Sequence, residues 1–189
     1  MSDITHERLK QLFRYEPETG EFFGLSGKKK GPIGYPNHAG HIIISMKLQD
    51  EKKTCKKYSA HRLAWFYVHG SLPDGEIDHI NGDRADNRIE NLRIATRSEN
   101  NANRKVNPRS SIKAKGVQKE KGSSAKYSAL ITVKGKTMYL GYFDSIDEAA
   151  HAYNKAAIQH FGDFACLNPI GVDKAESACN ENGQRGSEA

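Results

Sequence analysis

The chain has 189 residues, with 29 Lys+Arg against 23 Asp+Glu and a mean hydropathy of −0.74, enough for one domain or two small ones around a modest core. No stretch approaches the roughly 20 apolar residues of a bilayer span, and the start MSDITHERLK lacks a signal-peptide core, so a soluble, cytoplasmic protein without membrane contact is expected. The net charge of +6 divides unevenly, +4 over residues 1–60, +1 over 61–110, +3 over 111–168 and −2 beyond, so basic flanks suited to a polyanion enclose a nearly balanced middle.

In chain order, Thr5 caps a short helix carrying Leu9, Leu12 and Phe13 on one side, ended by the turn-rich run Glu16-Pro17-Glu18-Thr19-Gly20. Glu21-Phe22-Phe23, His41-Ile42-Ile43-Ile44 and Lys56 to Ala60 read as strands of a small sheet, joined in part by the basic loop Lys28-Lys29-Lys30. The run from His61 to Gly70 is a buried helix by its length and terminal glycine. Glu76 to Ile80 then makes a strand, Asn81-Gly82-Asp83 a hairpin turn, and Ile89 to Ala95 a second strand-like segment. Thr96 and Glu99 form a capping box that starts a helix near Arg97.

Residues 104–112 lack apolar periodicity and read as a linker. Beyond it, Gly116–Lys119, Lys126–Val133 and Thr137–Phe143 are three strands. Ser145 and Glu148 cap a helix whose one face carries Ile146, Ala149, Ala150, Tyr153 and Ala157. The tail from Gly171 has the composition of disorder. Cys55, Cys166 and Cys179 are odd in number and widely spaced, which points to reduced thiols.

The chemistry concentrates in the middle. His79, Asn91 and Asn100 follow one another at separations of 12 and 9 residues, with Asp78 beside the first. A strand, a strand-like segment and a helix start of this size can bring the four into one concavity. Asp78 offers a hard anionic oxygen and Asn100 a neutral one, which suits Mg²⁺. His79 titrates near neutrality and can take a proton from water. Alternation along a strand sends Asp78 and His79 to opposite faces unless the strand twists or bulges. Arg84, Arg88, Arg93 and Arg97 suit phosphate contacts or stand as solvated charge. His61-Arg62 touches phosphate, or else His61 packs beside Trp65. His6, His38, His69, His151 and His160 have no spacing that supports ligation.

The run IDHINGDRADNRIENLRIATRSENN, preceded by AHRLAWFYVHG, resembles the ββα-metal core of phage homing-type HNH endonucleases. The resemblance implies His79, Asn91 and Asn100 as the three motif positions, with asparagine in place of the last histidine. It further implies a DNA endonuclease that leaves 5′-phosphate and 3′-hydroxyl ends: His79 as the base, Asn91 holding it in position, and Asp78 and Asn100 carrying Mg²⁺ or Mn²⁺. The setting implied is a bacterial or phage-infected cytoplasm. Residues 113–168, with Tyr139-Leu140-Gly141-Tyr142-Phe143 and Asp147-Glu148-Ala149-Ala150, resemble the plant ethylene-response-factor or APETALA-two DNA-binding domain. That resemblance implies a sheet docked on double-stranded DNA. Its implied contacts are Gln118, Lys119, Lys126, Tyr127, Lys134, Lys136 and Tyr139, beside Arg93 and Arg97 of the preceding region.

The expected fold class is α+β, divided into an amino-terminal helix and small β region (1–57), the nuclease core (58–104), the linker (105–112), a three-stranded antiparallel sheet on one helix (113–168) and the tail (169–189). No protein partner is implied, and the oligomeric state stays open. The competing reading is a non-catalytic DNA-binding transcription regulator with a degenerate nuclease unit; RNA as substrate is weaker, because the second module resembles a duplex DNA reader.

Overall fold

The computed structural model describes residues 4–26, 31–47, 55–122 and 126–171. The lysine loop at 28–30, Cys179 and the tail from 172 lie outside the described residues. The chain forms two units, Met1–Ala95 and Thr96–Ala189.

In the first unit Thr5 accepts the Arg8 amide and starts α1 (His6–Leu12). Phe13, expected on the apolar face of that helix, is instead the first residue of β1 (Phe13–Glu16), where it is still buried. β2 (Glu21–Gly24) pairs antiparallel with β1 and with β3 (Pro32–Ile33). A second antiparallel sheet consists of β4 (Tyr35–Pro36), β5 (Ile42–Lys47) and β6 (Cys55–Ser59). α2 (Ala60–His69) ends where Gly70 takes φ 73°, a conformation that costs glycine little. Leu9, Phe22, Ile44 and Leu63 are almost wholly shielded from solvent in the core these elements share.

β7 (Glu76–His79) and β8 (Leu92–Ala95) form an antiparallel pair. The tight hairpin expected at Asn81-Gly82-Asp83 is not what joins them. Gly82 does turn, its amide donating to the His79 carbonyl at 2.9 Å, but the connection runs on through residues 80–91 and ends in a 3-10 turn, Ile89–Asn91. The loop is braced from outside. Tyr15 donates its hydroxyl to the Asn87 carbonyl at 2.8 Å. Gly20, at φ +74°, lies so close that an added Cβ would fall 2.4 Å from the Arg88 nitrogen. The turn read in the sequence as punctuation therefore serves as a seat for the loop.

In the second unit Thr96 and Glu99 make both bonds of the expected capping box at the start of α3 (Arg97–Asn103). Lys115 donates to the carbonyls of Asn101, Ala102 and Arg104 at the far end of this helix, and burial with Arg104 nearby lowers its pKa to about 8. The Lys134 amide donates to Ser98 Oγ at 3.1 Å.

β9 (Val117–Lys119), β10 (Tyr127–Val133) and β11 (Lys136–Phe143) form an antiparallel sheet in the order β11-β10-β9, with a bulge between Ala129 and Leu130. α4 (Ile146–Phe161) lies on it through Ala149, Ala150, Tyr153 and Ala157, the face its periodicity marked. Gly116 allows the close approach: a Cβ there would fall 2.1 Å from the Tyr153 ring. Cys55 is a free, exposed thiol, whereas Cys166 is disulfide-bonded and not the reduced thiol expected. Among the described residues no helix is long and apolar enough to cross a membrane.

Candidate active site and nucleic-acid contacts

Four residues at the end of β7 and in the following loop are the buried polar residues among those described in the first unit: Asp78, His79, Asn87 and Asn91. The ladder pairs Asp78 with Arg93 and His79 with Leu92 in unbroken register, so alternation carries the two neighbours to opposite faces. Asp78 meets Arg93, whose Nε and Nη2 both stand 3.0 Å from its Oδ2. His79 meets Asn87, with Nε2 3.4 Å from the amide oxygen.

The tautomer of His79 follows from its neighbour. Asn87 donates its Nδ2 to the Ala85 carbonyl at 2.9 Å, which turns its Oδ1 toward the imidazole. An amide oxygen accepts, so Nε2 carries the proton and Nδ1 is the basic nitrogen. Burial lowers the pKa of His79, against the opposing effects of the Asn87 hydrogen bond and of Asp78, Asp83 and Asp86.

Asn91 holds the loop closed from inside. Its Oδ1 accepts the Asn81 amide at 3.0 Å, and its Nδ2 donates to Asn81 Oδ1 at 3.1 Å and to the Asp86 carbonyl at 2.8 Å. Asn81 also donates to Asp86 Oδ2, and Arg88 grips the same carboxylate; that arginine pairing holds the Asp86 carboxyl below its usual range.

Two further histidines face His79. The ring centroids of His41 and His61 lie 5.2 Å apart, those of His61 and His79 5.1 Å, and those of His41 and His79 5.9 Å. The three offer ligand nitrogens that all lie within 4.8 Å of one another, a group able to hold a metal ion. Burial, with His79, His41 and Arg62 adding to it, pushes the pKa of His61 down to about 3; burial, Arg84 and His79 lower that of His41. The sequence pairs His61 with Trp65 or with phosphate and passes over His41. No spacing joins positions 41, 61 and 79, because their meeting is a product of the fold.

A consequence in acid follows. The unfolded chain binds a proton at His61 near pH 6.5 that the folded chain refuses until about pH 3, so stability falls as pH drops through that window and is fully present above it. Urea midpoints of the metal-free protein should decline across this range, and His61→Gln should flatten the decline; an equal slope in the variant removes His61 as its cause.

Asn100 stands half-buried on α3, in the second unit. The carboxylate of Asp78 and the amide of Asn100 have the oxygen chemistry that Mg²⁺ takes. Arg97 is exposed at the start of α3, while Arg93 is engaged with Asp78.

On the sheet, Gln118, Lys119, Lys126, Lys134, Lys136 and Tyr139 are exposed. Tyr127 differs, packing beside Val117, Ala129 and the first turn of α4. Tyr142, not singled out in the sequence, is 58% exposed and meets the 50%-exposed Tyr139 edge to face at 5.0 Å. Exposed aromatic pairs on a lysine-bearing strand are the signal that would have found it.

Residues 58–102 match the HNH endonuclease family model. That segment is the part of the chain that is similar to the HNH endonuclease family. A mimivirus protein, the uncharacterized HNH endonuclease L560 of Acanthamoeba polyphaga mimivirus, is 33% identical over 116 residues, covering 60% of this chain. The chain matches 59% of that relative's length. A solved structure titled for DNA binding and cleavage by the HNH homing endonuclease I-HmuI covers 48% of this chain and 50% of its own, at 23% identity and a TM-score of 0.38. The HNH segment includes His61, Asp78, His79, Asn87, Asn91, Arg93 and Asn100.

Proposed function

We propose that the chain is a metal-dependent DNA endonuclease of the HNH homing type, hydrolysing phosphodiester bonds to 5′-phosphate and 3′-hydroxyl ends. The observation that carries the reading is the setting of His79: inside the HNH segment, buried, and with Nε2 facing the Asn87 amide oxygen, which leaves Nδ1 as the base. In this reading Nδ1 takes the proton of a water whose oxygen attacks phosphorus, and the 3′ oxygen departs. Mg²⁺, or Mn²⁺ in its place, held by Asp78 and Asn100, would supply positive charge to the phosphate and the departing oxygen. Arg93 fixes the Asp78 carboxylate, and Asn91 fixes the loop that carries Asn87. Because Asp78 and His79 leave β7 on opposite faces, a phosphate served by both lies across the strand end.

The second unit, in this reading, holds double-stranded DNA on its sheet. Lys119, Lys126, Lys134, Lys136 and Arg97 meet phosphates, Gln118 reaches a base edge, and Tyr139 with Tyr142 packs on sugars. Tyr127 lends shape to the strand edge more than reach, given its packing.

The test is supercoiled plasmid incubated with the full chain and Mg²⁺, with and without EDTA. Nicking that EDTA abolishes supports the proposal. DNA binding without metal-dependent nicking under any condition overturns it in favour of a DNA-binding regulator. A separate expectation concerns affinity: Lys126→Ala or Lys136→Ala weakens binding to all sequences alike and lowers the salt slope by about one unit for each phosphate left without its lysine. Filter binding across a salt series measures this, and an unchanged slope strikes the lysine from the interface.

A further inference from the structure

Three imidazoles reach one point in the first unit from three separate elements. His41 immediately precedes β5, His61 lies in the first turn of α2, and His79 ends β7. His79 is buried and the other two are partly shielded. Among the described residues no hydrogen bond engages the ring of His41 or of His61. Two rings are thus held beside a third by the fold, with their ring nitrogens available for ligation.

The donor chemistry narrows that partner. Three nitrogens suit Zn²⁺, Co²⁺, Ni²⁺ or Cu²⁺, whereas Mg²⁺ takes oxygen. Around zinc at about 2.0–2.1 Å, tetrahedral nitrogens stand about 3.4 Å apart. The present separations, none above 4.8 Å, close to that by side-chain rotation. Arg84 near His41 and Arg62 near His61 oppose a cation, while Asp78, Asp83 and Asp86 near His79 favour one.

We propose that His41, His61 and His79 form a site for one borderline transition-metal ion of the Zn²⁺ class, with water completing the coordination, and that filling it inhibits the nuclease. The site is separate in donor type from the oxygen pair of Asp78 and Asn100. The inhibitory half rests on the reading of His79 as base: a ring nitrogen that ligates a metal cannot also accept a proton. The binding half stands without it.

The experiment uses the full chain, stripped of metal and titrated with Co²⁺, whose visible absorption reports a four-coordinate nitrogen site. The expected result is saturation at one Co²⁺ per chain, without the sulfur charge-transfer band that ligation by Cys55 would give, and displacement by Zn²⁺. His41→Gln should weaken binding by at least the roughly 10- to 100-fold that loss of even an outer partner of a metal ligand costs, with an unchanged circular dichroism spectrum. His61→Gln repeats the measurement should His41→Gln fail to fold. In the plasmid assay Zn²⁺ should suppress Mg²⁺-supported nicking by the parent chain, and His41→Gln should nick with Mg²⁺ alone as the parent does while losing the Zn²⁺ sensitivity. No stoichiometric Co²⁺ signal, or a folded variant that binds as tightly as the parent, overturns the site. Inhibition that His41→Gln retains overturns the inhibitory half. Saturable Co²⁺ binding in a chain that never nicks DNA supports the site and defeats the nuclease reading alone.

Discussion

His79→Gln and His79→Ala should each lower Mg²⁺-supported plasmid nicking by on the order of 10²- to 10⁴-fold, the range general-base catalysis contributes. Glutamine keeps much of the volume of a side chain that is 5% exposed and can still bond Asn87, so its defect isolates the loss of a titrating nitrogen. Alanine adds a cavity, and its stability should fall further than that of glutamine. The parent enzyme's dependence on pH supplies an independent readout. In the proposed mechanism the uncharged ring is the base, and burial lowers its pKa, so the acid limb of kcat/KM should have its midpoint below pH 6.5 and activity should be lost as pH falls through it. In the glutamine variant that limb should vanish from the residual rate. Activity equal to the parent in both variants would remove His79 from the reaction.

Asn91→Ala should destabilise the protein by about 1–3 kcal/mol, because it strands the partly buried Asn81 amide and Asp86 carbonyl that its side chain now satisfies. Two further bonds converge on the same residue, the Ile80 amide donating to its carbonyl at 2.9 Å and its own amide donating to the Arg88 carbonyl at 3.0 Å; these use backbone atoms and survive the substitution. The loop loosens from within and no longer holds Asn87 against His79, so nicking should fall together with stability. The midpoint of the acid limb should move as well, because the Asn87 bond and the Asp83 and Asp86 charges that raise the His79 pKa are carried on the same loop. Urea unfolding with nicking assayed well below the midpoint separates the two losses. A variant as stable as the parent would show that the loop is held by its outer braces, Tyr15 and Gly20, and not by Asn91.

Local signals carried far where the physics is local. The Thr5 cap, the Thr96–Glu99 capping box, Gly70 at a helix end and the apolar stripe of α4 are each settled by a few neighbouring residues, and each appears in the structure where the sequence puts it. Phe13 shows the limit. An apolar residue in register with a helix face is equally apt as the first buried residue of a strand, and pairing with Gly24 decided the matter. The Asn-Gly turn shows another: it bends the chain as its residues demand, yet Asn91, ten residues from Asn81, bonds back to it and makes the connection a loop instead of a hairpin.

The site divides in the same way. Asp78, His79, Asn91 and Asn100 stand out by residue type and spacing, and the HNH segment contains them all. Asn87 was hidden among several asparagines, and only its contact with the His79 ring distinguishes it. His41 carried no motif at all. Arg93 read as a phosphate contact or a solvated charge, and only the fold shows that its pairing partner on the neighbouring strand is Asp78.

By itself, then, the sequence determined what depends on neighbours along the chain: the caps and faces of the helices, the polar residues able to do chemistry, and a charge suited to a polyanion. Tertiary structure decided which nitrogen of His79 is basic, that burial lowers its pKa, what holds Asp78, and that three histidines share one point. Each of these depends on distance through space and on exclusion of water, and residues 41, 61 and 79 acquire both only when separate strands and a helix pack around them.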